Sequence, residues 1–270
     1  MNAQTGWHYR QLGQELLERR CHLMRQGSLI TPPAAGEPIE IVAGMPLAQR
    51  PVCLMKERII ECRRYQGDAL KQLNVAARRH GLGLSAFLLL LLLGSLAKIY
   101  GNGLVAVTLW FAPHFIGDWR TPVHDLVGSA AFPVPAWFPV QTRQETNEAI
   151  HALRHGLNAA MASAADYAAM FYAPVAMAQR PTMPGISYNF VGDPRLSPDI
   201  LGYRLAPEEV RIGRTDDELA ESPLSCEIEA YGDMLELTLA AYPHSDLARL
   251  PSKLILNIEK ELYPLLAERA

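Results

Sequence analysis

Apolar residues recur at helical spacing in residues 8–26, where Leu12, Leu16, Leu17, Leu23 and Met24 alternate with Arg and Glu, so this stretch predicts an amphipathic helix. Thr31-Pro32-Pro33-Ala34-Ala35-Gly36 follows, a linker rich in helix breakers. A short extended piece, Ile39-Glu40-Ile41-Val42, precedes the turn-like Gly44-Met45-Pro46. Residues 52–65 fit a strand and a short helix equally well. In 68–80, Leu70, Leu73, Ala76 and Ala77 mark one helical face, and Gly81 is a natural C-terminal stop.

From Leu82 to Ala97 the chain is almost wholly apolar, with an unbroken leucine block at 88–93. A membrane span needs about 20 apolar residues. This run is shorter and is bracketed by Arg78, Arg79, His80 and Lys98, so it predicts a buried core helix with Ser85 as its N-cap. Leu104–Phe111 is a continuous apolar run of β-formers, the pattern of a strand buried on both faces. A second alanine-rich helix is predicted over 147–173, and a strand over 186–191. Residues 193–222 are polar and broken by Pro and Gly. Leu224–Ile228 and Met234–Ala241 read as strands joined through Tyr231-Gly232-Asp233, and 252–267 as a closing amphipathic helix. The order of helices, strands and hairpin is that of an α/β (α+β) two-layer sandwich.

Composition narrows the picture. Nearly half of the 270 residues are apolar and the formal net charge is -3, so a sizeable core is available and no basic face marks a nucleic-acid binder. The polar N-terminus, Met1 to Trp7, has no apolar signal core, and Cys21, Cys53, Cys62 and Cys226 form neither a CxxC pair nor a zinc module. The expectation is a cytoplasmic protein with free thiols, no metal, no nucleic acid and no membrane partner. His151 and His155 share one helical face but lack a third ligand, and they read as a solvated face. His124 merely adjoins Asp125. No GxSxG occurs, and Gly81-Leu82-Gly83 and Gly101-Asn102-Gly103 are turns rather than phosphate-binding loops.

Four stretches, in order, resemble the condensation domains of nonribosomal peptide synthetases, which share the chloramphenicol-acetyltransferase fold. Leu70 to Ser85, with Val75-Ala76-Ala77-Arg78-Arg79-His80-Gly81, is similar to the family's "LkalAreeGvTl" helix. The apolar helix and Ile99-Tyr100-Gly101-Asn102-Gly103-Leu104-Val105-Ala106-Val107 follow as in "ytGqedivvG". Val105 to His114 stands where the family has "vvGtPvagR", without its glycine and with His114 in the arginine's place. Asp125 to Phe132 only hints at "liGfFvNtlplR". Ile186-Ser187-Tyr188-Asn189-Phe190-Val191-Gly192 is similar to "vsFNYlG", best known from epimerisation-type members.

The resemblance covers residues 60–268 and implies a chloramphenicol-acetyltransferase-like half domain over 52–270, preceded by an N-terminal helix and Pro-rich linker over 1–51. It implies the C-terminal lobe of the family's two. The other lobe carries the HHxxxDG motif, and no His-His pair occurs here. Asn189, with Tyr188 and His114, would line the acyl-transfer tunnel, and His114 is the weak catalytic candidate. No cofactor is expected, since substrates would arrive on phosphopantetheinyl carrier proteins. The expected partners are a carrier protein and a complementary HHxxxDG lobe on a separate chain. Residues 193–222, which cross to that lobe in full domains, would dock on it, with a homodimer as the fallback. Two alternatives stand beside this reading: a non-catalytic scaffold, and a homo-oligomeric acyltransferase that uses His114.

Overall fold

The computed structural model describes residues 3–26, 53–111, 131–172, 183–191 and 218–267, apart from 219, 221, 232 and 244. In chain order the elements are α1 (Ala3–Gln26), β1 (Ile59–Gln66), α2 (Asp68–Arg79), α3 (Leu84–Tyr100), β2 (Gly103–Phe111), β3 (Phe132–Val140), α4 (Thr146–Tyr172), β4 (Ile186–Val191), β5 (Leu224–Tyr231), β6 (Met234–Ala241) and α5 (Leu250–Ala267). The strands form one mixed six-stranded sheet in the order β1-β6-β5-β4-β2-β3. β4 pairs parallel to both β2 and β5, and the other ladders are antiparallel. The architecture is the expected α+β layering of helices on a sheet.

Strand side chains alternate between the two faces. One set builds the core: Val105, Val107 and Leu109 on β2, Ile186 and Tyr188 on β4, Cys226 and Ile228 on β5, and Leu235, Leu237 and Leu239 on β6. The helices pack on this face. Leu88, Leu89, Leu92 and Leu93 of α3 are buried, and Leu90 and Leu91 are partly so, as a core helix requires. No single helix among the described residues is long and apolar enough to cross a membrane. α1 joins the same body. Its Leu12 and Leu16 enter the core, Arg19 pairs with Asp166 of α4, and an Arg20 guanidinium N–H donates to the Met170 carbonyl at 2.7 Å.

Local signals behave as their chemistry dictates. α2 stops at His80, and Gly81 follows at φ 64°. The Leu82 N–H donates to the Ala77 carbonyl at 3.0 Å and the Gly81 N–H to the Arg78 carbonyl at 2.9 Å, the paired bonds of a Schellman stop. The N-cap of α3 is Gly83 rather than the expected Ser85, which lies inside the first turn. There the Ser85 carbonyl accepts the Tyr188 hydroxyl at 2.6 Å. Residues 52–65, ambiguous in sequence, hold a short 3₁₀ turn at Met55–Glu57 and then β1.

β3 is an element that the hydrophobic pattern does not announce. Its sequence, FPVPAWFPV, carries Pro133, Pro135 and Pro139, which argues against a strand interior. All three prolines share one parity, and β3 is the edge strand beside β2. The missing N–H groups therefore fall on the outward side, while Phe132, Val134, Ala136, Phe138 and Val140 enter the core.

Candidate functional site on the open sheet face

The opposite face of the sheet carries the second alternation set, and its character is polar. Asn189 of β4 stands beside Glu227 of β5, Glu227 opposite Thr238 of β6, and Thr238 opposite Cys62 of β1. One step along, Val191 is followed in the same way by Glu229, Glu236 and Arg64. Both rows are partly exposed. Behind them lies a buried row, Thr108, Ser187, Ser225 and Ala240, each less than a tenth exposed.

Specific bonds fix this face. The Trp110 indole Nε1–H donates to Ser187 Oγ at 3.0 Å, which ties β2 to β4. Arg58 is buried, and one of its guanidinium nitrogens donates to Ser225 Oγ at 2.8 Å and to the Ala240 carbonyl at 2.6 Å. Arg64 pairs with Glu236. Glu229 lies directly opposite Glu236, and like charges at such positions repel. Burial first, then the Glu236 and Glu227 carboxylates, pushes the Glu229 carboxyl above its usual value. Burial also pushes the Cys62 thiol up, against a hydrogen bond with Thr238. Protonated thiols are poor nucleophiles.

Asn189 therefore faces away from the helices. Its side chain is partly buried. Tyr188, expected beside it in a tunnel, stands on the other face. Consecutive strand residues alternate, and the Tyr188 hydroxyl is spent on the Ser85 carbonyl of α3. The structure thus places the two side chains on opposite faces of the sheet. His114, His124 and most of 193–222 lie outside the described residues. His151 and His155 are exposed on α4, and His80 stacks on Phe87 with ring centroids 5.9 Å apart. No group of His, Cys, Asp and Glu among the described residues could hold a metal ion. The face can thus bind through hydrogen bonds and carboxylates, and no described histidine lies on it to take a proton. Sequence reading missed Thr108, Trp110 and Glu227 as neighbours of Asn189, because inter-strand register is not written in the local pattern.

No family model matches the sequence, and no curated protein is recognisably similar to it. Solved structures are similar in fold. Over 95% of this chain and 57% of the other, it superposes on the epimerisation domain from the third module of tyrocidine synthetase B with a TM-score of 0.63 at 13% identity. The condensation domain that mediates chain release from the enacyloxin polyketide synthase gives a TM-score of 0.57 at 18% identity, over 94% of this chain and 47% of that one. The fold is that of the condensation and epimerisation domains. The condensation domain of the Monacolin K polyketide synthase agrees, with a TM-score of 0.55 at 13% identity over 96% and 60% of the two chains. This chain spans about half the length of the condensation-fold structures that it matches.

Proposed function

We propose that these residues are the C-terminal lobe of a condensation-type acyltransferase, and that the open sheet face around Asn189 forms one wall of its acyl-transfer channel. The observation that carries this reading is the polar, partly exposed strip through Asn189 and Glu227 on a half-length condensation fold. A sheet face of this polarity suits hydrated or polar substrate groups rather than a second apolar layer. A complementary lobe bearing HHxxxDG closes the channel and supplies the histidine that acts near the attacking amine. Carrier proteins deliver donor and acceptor as phosphopantetheine thioesters, and this lobe offers one docking face. The Asn189 carboxamide donates to a carbonyl or accepts from an amine in that channel.

The test is reconstitution. The purified chain alone forms no amide from a donor-loaded and an acceptor-loaded carrier. Addition of an HHxxxDG lobe restores amide formation, measured by mass spectrometry of the carriers, and Asn189→Ala lowers the restored rate. Robust amide formation by the chain alone would refute this reading and favour an acyltransferase complete in itself.

A further inference from the structure

The two edges of the sheet differ in chemistry. At β3 three prolines remove outward N–H groups, which blocks a further strand. β1 forms the other edge with IIECRRYQ, which contains no proline, and no described strand lies on its outer side. Ile59 and Ile60 are exposed there. A bare edge of this kind is a template for another strand.

α5 flanks that edge. On its β1 side the Ser252 hydroxyl donates to Glu61 Oε1 at 2.7 Å, and Glu259 Oε1 accepts from Arg63 Nε at 2.7 Å. Residues 252, 256, 259 and 263 follow one another at helical spacing, so a single stripe runs along this side of the helix. Its other two members, Leu256 and Tyr263, are 52% and 75% exposed. Leu256 lies between Ser252 and Glu259 on that stripe, as Cys62 lies between Glu61 and Arg63 on β1. Leu256 is therefore level with Cys62.

A second copy fits this surface through a two-fold axis normal to the sheet. Such an axis makes the two β1 strands antiparallel and keeps both open faces on one side, so paired positions share parity. Centred on Cys62, it sets Glu61 opposite the copy's Arg63, twice, and lays the Arg64 stem beside the copy's Ile60. Centred on Glu61 or Arg63 instead, it sets like charges opposite each other, which repel. The helices reach the same axis. α5 packs over β1 and β6. With strands about 4.8 Å apart, it then lies about 5 Å from the axis. Its two copies run about 10 Å apart, a normal helix-packing distance, and Leu256 meets its counterpart.

We propose that β1 and α5 form a two-fold dimer interface, in which two copies of the sheet join edge to edge and Leu256 packs on Leu256 of the second copy. The inference does not depend on the acyl-channel reading. The contact is modest, so the dimer dissociates below about 1 μM chain, and unfolding measured there reads the monomer.

Sedimentation velocity of the full chain from about 0.5 to 100 μM is expected to show a reversible dimer. Leu256→Glu raises its dissociation constant at least about tenfold. The variant melts as wild type does in dilute solution, because the position is exposed in the monomer and glutamate is a good helix former. In a Cys21→Ser chain, which lacks the exposed thiol of α1, a short bis-maleimide links the dimer through Cys62, and Cys62→Ser removes the link. A chain that stays monomeric throughout that range overturns the proposal. So does a dimer that ignores Leu256→Glu or gives no Cys62 link. Cys62 linked only to an added HHxxxDG lobe also overturns it, since the edge then serves that lobe.

Discussion

Two glycines, each inside a helix, are expected to respond to the same substitution with opposite signs. Gly156 lies in α4 where the helix crosses β3. A Cβ placed there would come within 2.6 Å of two ring carbons of Phe138 and 2.9 Å of the Trp137 carbonyl oxygen. Phe138 is 1% exposed, and the carbonyl belongs to strand backbone, so neither can swing clear. Relief requires α4 to lift from the sheet or the ring to leave its well, and overpacking of this kind costs typically about 1–3 kcal/mol. Alanine returns roughly 1 kcal/mol through its higher helix propensity. The net expectation for Gly156→Ala is a loss of up to about 2 kcal/mol, or several degrees in melting temperature at the upper end for a domain of this size. Gly94, inside α3, has nothing within 4 Å of its Cβ position, and it is exposed. Gly94→Ala keeps the propensity gain unopposed and should stabilise by up to about 1 kcal/mol. Chemical denaturation of both variants, with equal m-values, reads the difference. If Gly156→Ala stabilises as much as Gly94→Ala, the close approach of α4 to β3 is not as described.

Leu92→Ala, which empties a fully buried position in the leucine helix, should cost about 2–5 kcal/mol. Leu256→Ala, at an exposed position on α5, should stay within about 0.5 kcal/mol of wild type in the same urea titration. Glu229 gives a pH-dependent test. Its folded-state carboxyl titrates above the ordinary value of 4.5, so its contribution to stability is intact below that value and is lost as pH rises through the raised value. Glu229→Gln should therefore stabilise at pH 7 and converge on wild type at about pH 4; a variant less stable than wild type at pH 7 would contradict the repulsion drawn from the Glu229–Glu236 register. In native thiol titration Cys21, which is exposed, should react first and the partly exposed Cys62 slowly. Cys53 and Cys226, both buried and both raised by that burial, should react only on unfolding. Fast modification of Cys226 in the folded protein would place β5 away from the sheet centre.

Much of the element inventory was legible along the chain. The leucine block could only be a core helix, because its charged flanks stop it short of a span and no polar face remains to meet water. Leu70, Leu73, Ala76 and Ala77 set the buried stripe of α2, and Gly81 its stop, because only an unbranched backbone takes φ 64° without strain. β5 and β6, neighbours in the chain, pair antiparallel as the hairpin pattern predicts, with Tyr231 opposite Met234. Local physics was sufficient for these features, since each depends on residues within one or two turns of chain.

Strand order was a tertiary decision. β1 pairs with β6 across most of the sequence, and β4 inserts between β2 and β5, because burial of the whole apolar face selects among pairings that backbone hydrogen bonds alone leave equivalent. The same decision turned the prolines of β3 from an argument against a strand into the signature of an edge. It also sorted the candidate residues. The pattern Ile186-Ser187-Tyr188-Asn189 marks a strand, but only the packed sheet puts Tyr188 under α3 and Asn189 on the open face. Thr108 looked like one more residue in an apolar run. It became a neighbour of Asn189 only when β2 and β4 met in register, because a residue's partner across a ladder is set by the packing of the sheet and not by the residues beside it in the chain.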